Sequence, residues 1–341
     1  MNSINYFTKT ISIASLGFIS ICSGALAQSV TSNIAGYITL NIKGNNGADK
    51  PAYSFLSIPL IQTASDSGVV EAINGPTINK LDADWAEDEF NDMYYIEITS
   101  GENIGITSTI IDTTSTSIVT FDDLSSLVNA DDSFVIRKYT TIADVFGANN
   151  EAGLQGGGTL GAADNILIYN SGAQKFDRYY YKNAGLGANS WRSSISGEKS
   201  NTILYPGSAL IIESIRPDDL EVIVTGIVQP NDAVLPIERD YNFISSHFPT
   251  DVTLNQMFGP DGGPLVGGST ASQADRILVP NDNGGYDSYY FKTSGLGANQ
   301  WRSTSISGDQ GDSVIAEAGD IIIIRRSQGE AFNFVESVTY Q

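Results

Sequence analysis

Apolar and polar residues alternate along much of this chain with a period of two. GYITLNI (36–42) alternates throughout, and YSFLSIPLI (53–61) is mostly apolar and aromatic. MYYIEITSG (93–101), GITSTIID (105–112), STSIVTF (115–121) and SFVIRKY (133–139) are β-branched runs bounded by Asp, Ser and Gly. Such runs suit a pleated, half-buried surface and predict strands. Few stretches place apolar residues three and four apart. One helical turn is predicted at TIADVFG (141–147), with Thr141 as its cap and Gly147 as its stop. Many short strands with frequent turns predict an all-β, antiparallel fold of sandwich or barrel-like type.

The pattern then repeats. YYYKNAGLGANSWRSS (179–194) returns as YYFKTSGLGANQWRST (289–304), so Trp191 and Trp301 lie 110 residues apart. TIADVFG pairs with TLNQMFG (253–259), and each precedes a Gly-rich connection ending at Asp164 or Asp275. NILIYN (165–170) and RILVPN (276–281) each open a hairpin that returns through FDRYYYK (176–182) or YDSYYFK (286–292). The turns between them, SGAQ and DNGG, carry hairpin chemistry. GSALIIES (207–214) matches GDIIIIRR (319–326), and each unit closes on a further strand, LEVIVTGIV (220–228) or FNFVESVTY (332–340). Upstream, 226–249 matches GYITLNI and YSFLSIP more weakly. The plan expected is two homologous β modules, 28–228 and 229–341, the first interrupted by a small β subdomain at about 62–140.

The segments MYYIEITSG, ADDSFVIRKYTTIADVFG, AADNILIYN, FDRYYYK, SWRS and LYPGSALIIES together resemble an uncharacterised family of secreted proteins best known from verrucomicrobial genomes. The resemblance covers most of the chain after residue 27. It implies export and β structure, and it carries no activity, cofactor or catalytic residue onto this sequence.

The N-terminus agrees with export. Lys9, an apolar run over 11–21 and the small-x-small Ala25-Leu26-Ala27 predict a signal peptide, 1–27, cut after Ala27. Cys22, the single cysteine, lies within it, so the expected mature chain has no thiol for a disulfide, a zinc site or a nucleophile. Lipidation at Cys22 is disfavoured by Ile21, where that processing wants a small residue. The run is too short to span a bilayer, and no later stretch predicts a transmembrane helix. An outer-membrane barrel is disfavoured by short, Gly-interrupted apolar strands. The formal charge is −21, or −22 once the signal and its one lysine are gone, which argues against nucleic acid and anionic lipid as partners.

Candidate chemistry gathers on the repeat. Tyr179, Tyr181, Trp191 and Arg192, with Tyr289, Phe291, Trp301 and Arg302, are the candidate ligand-binding residues. Two readings stand: the rings fill a core, or they form a stacking platform for sugars. Arg192 and Arg302 are expected to bridge to Asp177 and Asp287. The GLGAN loops (185–189 and 295–299) lack the lysine and following helix of a phosphate cradle and predict turns with Gly at positive φ. NDNGGYD (281–287) and GPDGG (259–263) leave calcium open as a ligand but do not fit the twelve-residue calcium loop. His247, the single histidine, excludes a multi-histidine metal site and is expected at the surface or half-buried at a strand end. No cofactor and no catalytic constellation is predicted.

The expectation is an exported, non-catalytic β-repeat protein with a structural or adhesive role in the envelope or outside the cell. Its partners would be glycans or other envelope proteins, with the oligomeric state open. The alternatives are a carbohydrate-binding protein using the repeated Tyr/Trp/Arg surfaces, and a glycan hydrolase using two carboxylates.

Overall fold

The computed structural model describes residues 34–194, 197–281 and 284–337. The expected signal segment, Cys22 and part of the NDNGGYD turn lie outside these residues. The described chain is all-β, with antiparallel pairing between its strands. No helix among the described residues is long and apolar enough to cross a membrane.

Two open five-stranded sheets have corresponding strand orders. The first runs Ser190–Ser193, Lys175–Lys182, Asn165–Asn170, Ala209–Ser214, Ala52–Ser57; the second runs Gln300–Ser303, Tyr286–Lys292, Arg276–Pro280, Ile322–Arg326, Asp240–Ile244. A further strand pair covers one face of each: Ala35–Ile42 with Leu220–Val228, and Ala233–Ile237 with Phe332–Glu336. Alternation sends every second residue inward. Ile38, Leu40, Ile42, Leu56, Ile166, Leu210, Ile212 and Val224 meet in one core, and Leu235, Ile237, Ile244, Ile277, Ile322, Ile324 and Phe334 meet in another.

The predicted helical turn is present, with a counterpart at the second segment. Ile142–Phe146 and Leu254–Phe258 each carry a capping box, in which the Thr141 or Thr253 side chain accepts from the third helical amide and is answered by Asp144 or Gln256. Gly147 and Gly259 end them at φ 84° and 85°. A side chain at Gly147 would also run into Glu151.

Between Leu60–Ile61 and Thr140–Thr141 the chain builds a seven-stranded sheet. Its order is Ala64–Val69, Ser133–Lys138, Tyr94–Ile98, Thr107–Thr113, Ser117–Thr120, Thr77–Asn79, Ala72–Asn74. It has a core of its own around Trp85, Phe90, Ile96, Ile98, Ile110, Phe134 and Ile136.

A buried aspartate ties the Gly-rich connection to each five-stranded sheet. Asp164 accepts from the Gln155 and Ile215 amides at 2.7 and 2.8 Å, and Asp275 accepts from the Val266 and Ser327 amides at 2.9 and 2.8 Å. A carboxylate receiving backbone N–H groups fixes an irregular segment that has no ladder of its own.

Candidate ligand-binding cavity

A cavity of about 730 Å3 opens where the first five-stranded sheet, the seven-stranded sheet and the segment leading into the second sheet meet. That volume lies in the range of small-molecule sites, roughly 300–1,000 Å3. Parity explains how the seven-stranded sheet reaches it. In Tyr94–Ile98, Ile96 and Ile98 enter their own core, so Tyr95 and Glu97 face the other way, into the cavity wall.

Three tyrosines from distant segments form one wall. The Tyr95 and Tyr139 rings lie 4.8 Å apart and tilted by 30°, and Tyr205 meets Tyr139 edge-on at 5.2 Å. The Tyr139 hydroxyl hydrogen-bonds Thr109 at 2.9 Å. Burial raises the Tyr95 phenol and pushes Tyr139 up to about 12. Tyr179 is raised by burial and by the neighbouring Asp177. These groups therefore stay protonated across the ordinary pH range, each a neutral donor and acceptor beside an apolar ring.

Glu97 is almost fully buried, and both its oxygens are engaged. Arg137 Nε donates to Oε2 at 2.8 Å and Gln229 Nε2 to Oε1 at 2.7 Å. Arg137 also donates to the Gln62 carbonyl at 3.0 Å. The pair clamps the seven-stranded sheet to the link between the five-stranded sheets, and a carboxylate so held is a structural charge.

His247 is buried at 7% exposure, which corrects the expected surface or half-buried strand-end position. Glu336, 89 residues away, overrides the local pattern. Its Oε2 lies 3.1 Å from His247 Nδ1 and accepts the His247 amide at 2.9 Å, while Ser246 Oγ donates to Oε1. The opposite ring edge lies over Gly207 at the cavity wall, where an added Cβ would come 2.6 Å from Cε1.

The eight candidates from the repeat fall in three places. Tyr179 lines the cavity. Tyr181, Trp191, Tyr289, Phe291 and Trp301 are buried in the two cores, where Tyr181 meets Trp191 at 5.5 Å and Phe291 meets Trp301 at 5.6 Å, both edge-on. At 0% and 1% exposure the indoles offer no face to a ligand. Arg192 and Arg302 are half-buried beside the GLGAN loops, where Gly185, Gly187, Gly295 and Gly297 have positive φ as expected.

The expected Asp–Arg bridges do not form. Arg192 pairs in register with Tyr180, and Arg302 with Tyr290, so each arginine shares the face opposite Asp177 or Asp287. Asp177 instead accepts from Asn170 at 3.2 Å, and Asp287 from Asn281 at 3.3 Å. A buried Asp–Arg contact occurs elsewhere, between Asp275 and Arg326 at 2.9 Å.

Tyr95, Glu97, Tyr139, Tyr205, Gln229 and His247 come from separate segments, and no spacing in the sequence links them as a site. Among the described residues no group of three or more His, Cys, Asp or Glu is placed to hold a metal ion. No protein-family model matches the chain, and no curated protein or solved structure matches it.

Proposed function

We propose that this chain is an exported, non-catalytic β-repeat protein of the envelope or extracellular space, and that it binds a neutral glycan segment in the junction cavity. The observation that carries the reading is a pair of accessible rings, half-buried Tyr179 and 52% exposed Tyr205, backed by the buried Tyr95 and Tyr139, in the wall around a space of about 730 Å3. Rings offer apolar faces to the C–H side of a sugar, and hydroxyls and amides answer its hydroxyls. The segments that carry the resemblance to the secreted family also supply this wall: MYYIEITSG, SFVIRKY, FDRYYYK and LYPGS.

A binding role is favoured over hydrolysis by the state of the carboxylates. Glycoside cleavage needs two carboxyl groups free to hold and release protons on either side of one bond. Of the three carboxylates lining the cavity, Glu97 has both oxygens committed and Asp177 is bonded to Asn170, which leaves Glu238 without a second free carboxyl group to work with.

The test is a glycan array followed by calorimetry on wild type and on Tyr205→Ala, a position already 52% exposed and therefore tolerant. Retention on at least one glycan, weakened about tenfold or more by loss of the ring, is expected. Retention on none, or release of reducing ends from a bound glycan, would overturn the reading.

A further inference from the structure

The two five-stranded sheets touch through exchanged contacts. Ser57 N donates to Gly319 O at 2.8 Å, and Ser245 N donates to Gly207 O at 3.0 Å. Ser57 follows YSFL as Ser245 follows YNFI, while Gly207 and Gly319 open GSALIIES and GDIIIIRR. The aromatic contacts follow the same rule: Phe55 meets Tyr286 at 6.3 Å, and Phe243 meets Phe176 at 5.0 Å, both edge-on. Leu167, Ile211, Ile321 and Ile323 point away from the two cores and are buried all the same. A contact from i to j accompanied by one from j to i is what a two-fold axis produces.

A cleft on one side of such an interface has a counterpart on the other. Asn170, Gly207 and Phe243 line the junction cavity, and their sequence counterparts Asn281, Gly319 and Phe55 line a second depression of about 1280 Å3. The difference is the cover. The seven-stranded sheet supplies Tyr95, Glu97 and Tyr139 to the first, and supplies no lining residue to the second.

The second depression has exposed rings and paired polar groups. Tyr53 and Tyr286 are 49% and 48% exposed. The Tyr53 hydroxyl donates to Glu213 at 2.8 Å, and Arg178 pairs with the same carboxylate at 3.0 Å. Glu213 is buried and fixes Tyr53 and Arg178 in place, while Arg178, Asp218 and Asp320 line the depression beside the rings. Stacking faces together with such donors and acceptors are the chemistry that recognises a polyhydroxylated ring.

We infer that this open depression is a second, uncapped binding site for a glycan chain, so that the protein is bivalent. The inference rests on the glycan reading of the junction cavity. The open site encloses less of its ligand and binds more weakly than the covered one.

Calorimetry with cellohexaose, maltohexaose and N-acetylchitohexaose tests this on the full mature chain. Wild type is expected to show two sites per chain for at least one probe. Tyr286→Ala, or Tyr53→Ala if the first variant disturbs the sheet contact, removes the weaker site and keeps the tighter. Tyr205→Ala weakens the tighter site about tenfold and keeps the weaker. A single site lost in Tyr205→Ala and untouched by both groove variants overturns the inference and leaves the cavity reading standing. Absence of binding to any probe overturns both.

Discussion

Trp191 donates its indole N–H to the carbonyl of Gly147 at 2.8 Å, across 44 residues of sequence, and Trp301 does the same to Gly259 at 2.9 Å. Each tryptophan thus pins the end of a one-turn helix to the edge of a five-stranded sheet. The helix-end phenylalanines complete the contact, Phe146 with Trp191 at 6.1 Å and Phe258 with Trp301 at 5.9 Å. Neither carbonyl depends on the indole alone, since Asn150 N also donates to Gly147 at 3.1 Å and Gly262 N to Gly259 at 3.3 Å. Trp191→Phe is therefore expected to cost about 1–2 kcal/mol, for one of two hydrogen bonds and part of a ring. Trp191→Ala is expected to cost about 3–5 kcal/mol. Urea unfolding of both variants checks the order; equal losses would show that ring volume is not what matters.

Much of this fold is legible in the sequence because alternation and turn chemistry act locally. Ala35–Ile42 buries every second residue from Ile38 on and Ala209–Ser214 buries all of its residues, and hydropathy marks both. The capped turn at Thr141 is equally local. Ala64–Val69, Ala72–Asn74 and Thr77–Asn79 escape the pattern, since in the first two no residue is buried. They are strands because the ladder beside them supplies hydrogen bonds, which composition does not encode. The site is less legible still. Tyr179 stands in the repeated motif, but its cavity partners Tyr95, Tyr139, Tyr205 and His247 are gathered by tertiary packing. The expected Asp177–Arg192 bridge fails on register, a quantity one residue of slip inverts.

Asp164 and Asp275 hold corresponding connections but answer to different charges. Asp164 receives neutral donors, including the Ser214 hydroxyl at 3.1 Å. Asp275 in addition faces Arg326, whose side chain is 3% exposed. Arg326 Nε lies 2.9 Å from the carboxylate without a hydrogen bond's alignment, so this contact is one of charge. Asp275→Asn leaves a buried guanidinium uncompensated and is expected to cost about 3–5 kcal/mol. Asp164→Asn is expected to cost less, about 1–3 kcal/mol. Thermal melting of the two variants compares them directly, and a larger loss in Asp164→Asn would refute the charge argument.

Alkali should destabilise the tyrosine wall. Tyr139 has an ordinary phenol value of 10.0 when unfolded and about 12 when folded, because burial disfavours the phenolate. Above pH 10 the unfolded chain gives up this proton while the folded chain keeps it, so stability falls as pH rises from about 10 towards 12. The contribution present below pH 10 is roughly 2–3 kcal/mol. Tyr139→Phe removes the titration, and its unfolding free energy should decline less steeply through that window. An unchanged slope would place the alkaline loss on other groups.

The buried pair Arg137–Glu97 makes the strongest demand on the seven-stranded sheet. The two side chains are 2% and 1% exposed, and Gln229 reaches them from beyond the end of Leu220–Val228, 132 residues from Glu97. Glu97→Gln keeps the size and removes the charge, which leaves Arg137 buried with nothing to balance it; a loss of about 3–5 kcal/mol is expected. The loss should be local first. Hydrogen exchange of Tyr94–Ile98 and Ser133–Lys138 should rise well before that of the second five-stranded sheet, because the broken contact lies between separate cores. Glu97→Leu combined with Arg137→Met replaces the pair by apolar groups and should recover most of the stability. Uniform exchange over the whole chain in Glu97→Gln would mean that the sheets unfold as one unit and that the clamp does not act locally.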